Sequence, residues 1–314
     1  MRLRRRPPRP PSSTGARPAG RRALLDARDL RQLERLSIVS LQAMLTGVAG
    51  QRPWGVGPAG LEFADYRPYV PGDDLRYVDW NIRARLGELL VKVAPEERSA
   101  EIDILIDMSR SMDFGDPNKL WHARRLAVAI GAVGLLHADV VRSYGLAGTA
   151  LEPGSRMDAP SMVGALSDQV ASLSGGARTD LPAAVHAYRR VREHADLVVL
   201  ISDGLVPPAA LTAALTELAG QAPSLAFVHV LDASELRAPG DGPLELRDLE
   251  TGQVLDLTLS SRAAASYARL AERFRSGVER SVRAVGARYV LAPTEVEPLD
   301  LLAAGARSAG LVAS

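Results

Sequence analysis

A chain of 314 residues is long enough to bury one large α/β core, alone or with a smaller appended domain. Its apolar fraction of 46% with only 4% aromatic residues indicates a core of Ala, Val and Leu, and the net charge of +1 does not define a partner. Because cysteine is absent, disulfide bonds, thiolate metal sites and cysteine nucleophiles are excluded.

Residues 1–22 are predicted to form a disordered basic tail. Residues 1–35 contain 11 arginines and three acidic residues, whereas the remainder has 27 basic and 34 acidic side chains. The Arg and Pro content of the tail argues against packed structure. We favour a solvated arm and expect no nucleic-acid binding, although contact with nucleic acid or anionic lipid is the open alternative.

No segment predicts a membrane span. The most apolar early stretch, residues 36–49, has about 14 residues, whereas a bilayer requires about 20. No apolar run directly follows the arginines, as a secretory signal would require. We therefore expect a soluble, cytoplasmic protein.

Residues 23–98 are predicted to form an N-terminal unit. The leucines and valines of residues 23–48 recur near helical spacing, which predicts an amphipathic helix. Residues 51–98 predict a small β-rich unit with strands at 62–69 and 87–93 around a Pro-Gly-Asp-Asp turn.

Residues 99–314 alternate between apolar strands and amphipathic helices, with a predicted β-hairpin insertion at residues 243–260 around Glu-Thr-Gly-Gln. This alternation predicts an α/β fold with a doubly wound, mostly parallel sheet that helices cover on both faces. The predicted strands cover residues 101–107, 139–146, 196–201, 225–231 and 288–291; the predicted helices cover 119–137, 159–173, 181–193, 208–219, 261–285 and 298–309.

The motif with the clearest chemistry is Asp-Met-Ser-Arg-Ser, directly after the first of these strands. It supplies one carboxylate, Asp107, and two hydroxyls, Ser109 and Ser111. Thr179 lies just before a predicted helix, and Asp203 follows a predicted strand. Because ligand sites of open α/β sheets lie outside the carboxyl ends of the strands, we expect these five side chains to converge.

Five oxygen donors of this kind suit Mg²⁺ or Mn²⁺. Ser109, Ser111 and Thr179 would ligate directly, and Asp107 and Asp203 would ligate directly or through water. The site would keep one coordination position open for a carboxylate of a partner. The alternative is that the serines only cap the next segment and that Asp203 is solvated in a turn.

The order of these five residues resembles the metal-ion-dependent adhesion site of von Willebrand factor A domains. Upstream, the stretch FADYRPYVPGDDLRYVDW at residues 63–80, with Ala84 and Arg85, resembles the signature of the family catalogued as domain of unknown function fifty-eight. The resemblance covers roughly residues 25–310. It implies a von Willebrand factor A-like, Rossmann-like fold and an adaptor that works with a MoxR-type AAA+ ATPase in chaperone-like assembly or metal insertion.

Many members of that family begin with two membrane helices; no segment of this sequence predicts such helices, so we expect no membrane attachment. Residues 62–85, rich in Tyr, Trp, Arg and Asp, are interpreted as a network that fixes the small unit, with a docking surface as the alternative. Asp103 shares a strand face with Asp107 but lies deep in the sheet, so we expect it to be structural.

The leading hypothesis is a non-enzymatic, metal-dependent protein-interaction module whose partner presents an acidic residue to the metal. The alternative is a Mg²⁺-dependent hydrolase, such as a phosphatase or nuclease, because a metal and its water can carry out phosphoryl chemistry. No His or Lys adjacent in sequence to the ligands offers a general base. No phosphate-binding GxxxxGK[ST] loop or GxSxG nucleophile motif is present.

Overall fold

The computed structural model describes residues 2–5, 24–33, 65–93, 99–175, 179–237, 242–247 and 254–308. The described residues of its N-terminal part include β1 (Arg2–Arg5), α1 (Ala27–Leu33), β2 (Asp65–Pro68), α2 (Trp80–Leu86) and β3 (Leu90–Val93). The rest of the chain continues as β4 (Glu101–Asp107), α3 (Lys119–Leu136), β5 (Val140–Ala147), β6 (Ala150–Pro153), α4 (Val163–Ser172), α5 (Leu181–Val191), β7 (Leu197–Ser202), α6 (Pro208–Ala219), β8 (Ser224–Leu231), α7 (Ala233–Leu236), β9 (Gly242–Arg247), β10 (Val254–Leu259), α8 (Ser261–Ala284), β11 (Arg288–Pro293) and α9 (Pro298–Ser308).

The centre of the molecule is a six-stranded sheet with the order β11-β8-β7-β4-β5-β6. All neighbouring strands are parallel except β6, which pairs antiparallel with β5. This confirms the predicted α/β fold with a mostly parallel sheet. The chain adds β5 on one side of β4 and β7 on the other, so the winding direction reverses between β4 and β7. Such a reversal opens a crevice at the carboxyl ends of the two strands.

Helices cover both faces of this sheet because its central strands are apolar on both sides. In β4, Ile102, Ile104 and Ile106 point to one face and pack in the core that includes α3 and α4. Leu105 points to the other face, where the core includes residues of α5, α6 and α8. Alternation of side chains along each strand therefore divides the apolar residues between two cores.

Helix α3 approaches the sheet closely through two glycines. A Cβ at Gly131 would lie 2.6 Å from Leu166 Cδ2 of α4, and one at Gly134 would lie 2.9 Å from Ile102 Cδ1 of β4. Larger side chains would push the helix outward and open gaps in a core that is close-packed. The position of α3 also fixes Lys119, the first residue of this helix, whose side chain contacts the predicted ligand Asp203.

The small N-terminal unit has the predicted pair of antiparallel strands, β2 and β3. Helix α2 between them was not predicted. Its ends nevertheless have ordinary sequence signals, because Asp79 accepts hydrogen bonds from the backbone of Asn81 and Ile82, and Gly87 ends the helix with φ 77°. The predicted helix over residues 23–48 corresponds to α1 at its start, and residues 34–48 lie outside the described part of the chain.

The predicted hairpin forms from β9 and β10, with Leu244 opposite Leu257, and its turn lies outside the described residues. Strand β1 pairs antiparallel with β9, so residues 2–5 are not the disordered tail that the sequence predicted. An edge strand offers unpaired backbone groups, which an extended segment can satisfy whatever its side chains are. Residues 6–22 lie outside the described ranges.

Candidate metal centre

Four of the five predicted ligands meet at the crevice between β4 and β7. Asp107 is the last residue of β4, and Asp203 directly follows β7; their exposed fractions are 2% and 1%. Ser109 Oγ lies 3.0 Å from Ser111 Oγ, and the backbone N–H of Ser109 donates to Asp107 Oδ1 at 2.9 Å. The Ser111 hydroxyl also hydrogen-bonds the Asp203 carboxylate. The two chain segments are thus joined by side chains of the predicted site.

Thr179 lies beside this group without a direct hydrogen bond to it. It is buried just before α5, and its hydroxyl donates to the backbone carbonyl of Leu146 at 3.3 Å. The same carbonyl accepts the backbone N–H of Met108 at 2.9 Å. Leu146 therefore places Thr179 next to the loop that carries Ser109 and Ser111. The role of all five residues as metal ligands stays a prediction.

The two carboxylates are held by different partners. Ser202 Oγ donates to Asp107 Oδ2 at 2.7 Å, so each oxygen of Asp107 accepts a hydrogen bond. Asp203 Oδ1 accepts from the backbone of Leu205 at 3.0 Å, and its Oδ2 accepts from Lys119 Nζ at 2.8 Å. Because each carboxylate oxygen has two acceptor positions, both groups retain capacity to coordinate a cation.

Lys119, which is not among the residues predicted from the sequence, places a buried ammonium group beside Asp203. Its ammonium lies 2.8 Å from Asp203 Oδ2 and 2.6 Å from Glu235 Oε1, and it is fully buried at the start of α3. Glu235 in turn accepts the backbone N–H of Asp232 at 2.9 Å through its other oxygen. One sequence signal was available: Lys119 is one of only two lysines in a chain with 36 arginines. A compact ammonium suits a position that the bulkier, planar guanidinium would not.

The pKa values of the two aspartates shift in opposite directions. Burial, and then the neighbouring Asp203 carboxylate, raise the pKa of Asp107. Burial also acts to raise the pKa of Asp203, but the Lys119 ammonium, together with hydrogen bonds from Leu205 and Ser111, lowers that pKa overall. The site therefore contains one carboxylate with a fixed counter-charge and one without. A divalent cation would relieve the repulsion between them, and the all-oxygen donor set fits Mg²⁺ or Mn²⁺.

His229 supports the site from the neighbouring strand. Its Nε2 donates to the backbone carbonyl of Asp203 at 2.8 Å, and its Nδ1 lies 2.8 Å from the hydroxyl of Tyr289. Burial lowers the pKa of His229 to about 4, so the ring is neutral at physiological pH. Both ring nitrogens are engaged, and the histidine fixes the backbone that carries Asp203.

Asp103 is structural, as the sequence analysis expected. Its Oδ2 accepts from Tyr188 Oη and from Arg192 Nε, both at 2.7 Å, far along the strand from Asp107. In the segment 62–85, Asp74 pairs with Arg76 at the surface and Trp80 is 59% exposed.

The protein is thus an α/β protein with a mostly parallel sheet. A buried cluster of carboxylates and hydroxyls lies at the point where the winding of its sheet reverses. Residues 65–277 match the family described as protein of unknown function DUF58, and the chain belongs to that family. The uncharacterized proteins Rv1480 of Mycobacterium tuberculosis and Mb1516 of Mycobacterium bovis are each 30% identical over 278 residues, which cover 82% of this chain and 81% of theirs.

Among solved structures, the conserved hypothetical protein BatB of Bacteroides thetaiotaomicron matches with 17% identity and a TM-score of 0.41, covering 68% of this chain and 100% of that one. An aerotolerance-related membrane protein of Bacteroides fragilis matches with 16% identity and a TM-score of 0.39, over 68% and 100% of the two chains. Within the described ranges, no helix of the present chain is both long and apolar enough to cross a membrane.

Proposed function

We propose that this protein is a metal-dependent protein-interaction module with a von Willebrand factor A-like domain. A divalent cation bound by Asp107, Ser109, Ser111, Thr179 and Asp203 would bridge to an Asp or Glu of a partner. The observation that carries the proposal is the convergence of oxygen donors around a buried carboxylate pair at the switch point. Ligand sites of open α/β sheets occupy this position.

The side chains of the site perform distinct tasks in this proposal. When bound, the metal would supply an electrophilic centre for an incoming carboxylate. Ser202 orients Asp107, and Lys119 orients Asp203 while neutralising part of its charge. The net negative charge of the protein ligands therefore stays low, which leaves a bound Mg²⁺ with positive charge to attract a partner's carboxylate.

A binding role is favoured over the hydrolase alternative because the nearby basic groups are occupied. Lys119 is held between two carboxylates, and His229 uses both ring nitrogens for structural hydrogen bonds. A general base must be able to reach the proton that it removes. Turnover of p-nitrophenyl phosphate with Mg²⁺, abolished by Asp203→Ala, would instead support a hydrolase.

The partner that we propose is a MoxR-type AAA+ ATPase, and the resemblance to the family supports it. The test is a pull-down with a purified MoxR-type AAA+ ATPase as bait, using the wild type, Asp107→Ala and the control Asp168→Ala. Asp168 is an exposed residue of α4 and is not one of the five proposed ligands. We expect capture in Mg²⁺ by the wild type and the control, and its loss in EDTA or with Asp107→Ala. Undiminished capture by Asp107→Ala would contradict the metal bridge.

A further inference from the structure

A groove lies directly beside the proposed metal centre. Gly204, the residue after Asp203, lines it together with residues of helices α6 and α8. The volume of the groove is about 340 Å³. That volume suits one or two side chains of a bound segment, at the lower end of the range for ligand pockets.

The lining of the groove is mainly apolar. Val206 and Leu211 contribute from the loop and from α6, and Phe274 and Val278 contribute from α8. Leu270 is 62% exposed and lies one helical turn before Phe274, so it extends the same apolar stripe along the helix surface. Leu205, which is 48% exposed, lies on the loop between Asp203 and Val206. Apolar side chains therefore lie on the loop that follows Asp203 as well as in the groove.

Positive charge lines the rim of this apolar surface. Arg273 and Arg280 line the groove from α8, both are exposed, and neither has an ion pair with any described residue. The acidic residues of the same helix pair elsewhere: Glu272 with Arg275, and Glu279 with Arg275 and Arg283. The rim thus offers two arginines to an acidic ligand.

We infer that this groove binds an apolar side chain flanked by acidic residues, in the same partner segment that presents its carboxylate to the metal. The inference rests on the proposed function and specifies the chemistry of the partner. One carboxylate of the segment coordinates the metal, the next apolar side chain enters the groove, and a further acidic residue pairs with Arg273 or Arg280. Electrostatic attraction to the arginines also selects against basic segments.

Gly277 allows the groove to be filled without disturbing the core. It lines the groove within α8, and a Cβ built there meets nothing within 4 Å. Gly277→Leu should therefore occupy the space of the bound side chain, and the substitution favours the helix. Gly164→Leu is the matched control, because Gly164 is an exposed glycine of α4 whose Cβ also meets nothing within 4 Å.

The probe is a fluorescein-labelled peptide of alternating Glu and Leu. Two matched peptides serve as controls: the Gln/Leu peptide lacks the negative charges, and the Glu/Ala peptide lacks the large apolar side chains. Binding is followed by fluorescence anisotropy in Mg²⁺. We expect the Glu/Leu peptide to bind best, with about tenfold weaker binding when Leu is replaced by Ala, the size expected for burying such a side chain. Gly277→Leu should remove this preference for Leu, whereas Gly164→Leu should retain it. Both variants are checked for folding by circular dichroism.

A second pair of variants tests the charged rim independently. Arg273→Glu with Arg280→Glu should weaken binding of the Glu/Leu peptide by about threefold to tenfold and leave the Gln/Leu peptide unaffected. The control is Arg190→Glu with Arg262→Glu, two exposed arginines outside the groove that give the same change of net charge. Equal weakening by both double variants would overturn the assignment of the rim.

The outcomes separate this inference from the proposed function. Binding that requires Mg²⁺ and Asp107 but is unchanged in Gly277→Leu would overturn the groove assignment alone. Binding that survives EDTA and Asp107→Ala but is lost in Gly277→Leu would retain the groove and contradict the metal bridge. Failure of the wild type to bind the Glu/Leu peptide better than the Glu/Ala peptide would overturn the inference, and the pull-down would still test the metal bridge.

Discussion

Lys119→Met tests whether the buried ammonium is required to hold the carboxylates of the site. Methionine is similar in length and apolar, so the change removes the charge with little change in packing volume. The substitution leaves the buried Asp203 and the partly buried Glu235 without their shared counter-ion, which lay 2.8 and 2.6 Å away. Removing one partner of a buried ion pair costs about 3–5 kcal/mol. Because whole domains are stable by about 5–15 kcal/mol, the loss should be large.

The free energy of unfolding is measured by urea denaturation in EDTA, so that metal does not contribute. The control Arg190→Met changes an exposed arginine and should alter stability by less than about 0.5 kcal/mol. Adding Glu235→Gln to Lys119→Met should recover part of the loss, because one unpaired carboxylate is removed. A loss below about 1 kcal/mol for Lys119→Met, or no recovery in the double variant, would refute the role of Lys119.

Two further substitutions test the buried carboxylates. Ser202→Ala removes the 2.7 Å hydrogen bond to Asp107, so urea denaturation should show a loss of about 1–3 kcal/mol; an unchanged free energy of unfolding would contradict this. Burial raises the pKa of Asp139 from 3.8 to about 7, so the folded state binds this proton more tightly than the unfolded state. The free energy of unfolding should therefore fall as pH rises from about 4 to 7, by at most about 4 kcal/mol. Asp139→Asn keeps an acceptor for the backbone of Ala100 and should be more stable than the wild type at pH 8; lower stability there would contradict the assignment.

The main sheet could be predicted because its signals are local. Apolar runs such as Ile102–Ile106 and Leu197–Ile201 became the adjacent strands β4 and β7, and the amphipathic helices between the strands formed close to the predicted bounds. Short elements were missed. Helix α2 has capping residues, but none of its residues is buried. It therefore needs no apolar face that would mark it as a helix in the sequence. Strand β1 depends on pairing with β9, more than 200 residues away along the chain, which no local pattern reveals.

The site was predictable to the extent that each ligand follows a strand or precedes a helix. Asp107 and Asp203 each follow a predicted parallel strand, so the sequence predicts both at the same edge of the sheet. Lys119 and Glu235 were not predictable in this way. They lie at the starts of separate helices. Lys119 meets Asp203, 84 residues away, and Glu235, 116 residues away, only through tertiary packing.

The central claim is that the five oxygen donors bind one divalent cation, and a Mn²⁺ titration followed by electron paramagnetic resonance tests it most directly. We expect one Mn²⁺ to bind per chain and to be displaced by Mg²⁺. Thr179→Val and Asp107→Asn, which nearly preserve the size of the side chain, should weaken binding by about tenfold or more. The claim would be contradicted if the wild type did not bind Mn²⁺ stoichiometrically, or if both variants bound Mn²⁺ with the affinity of the wild type.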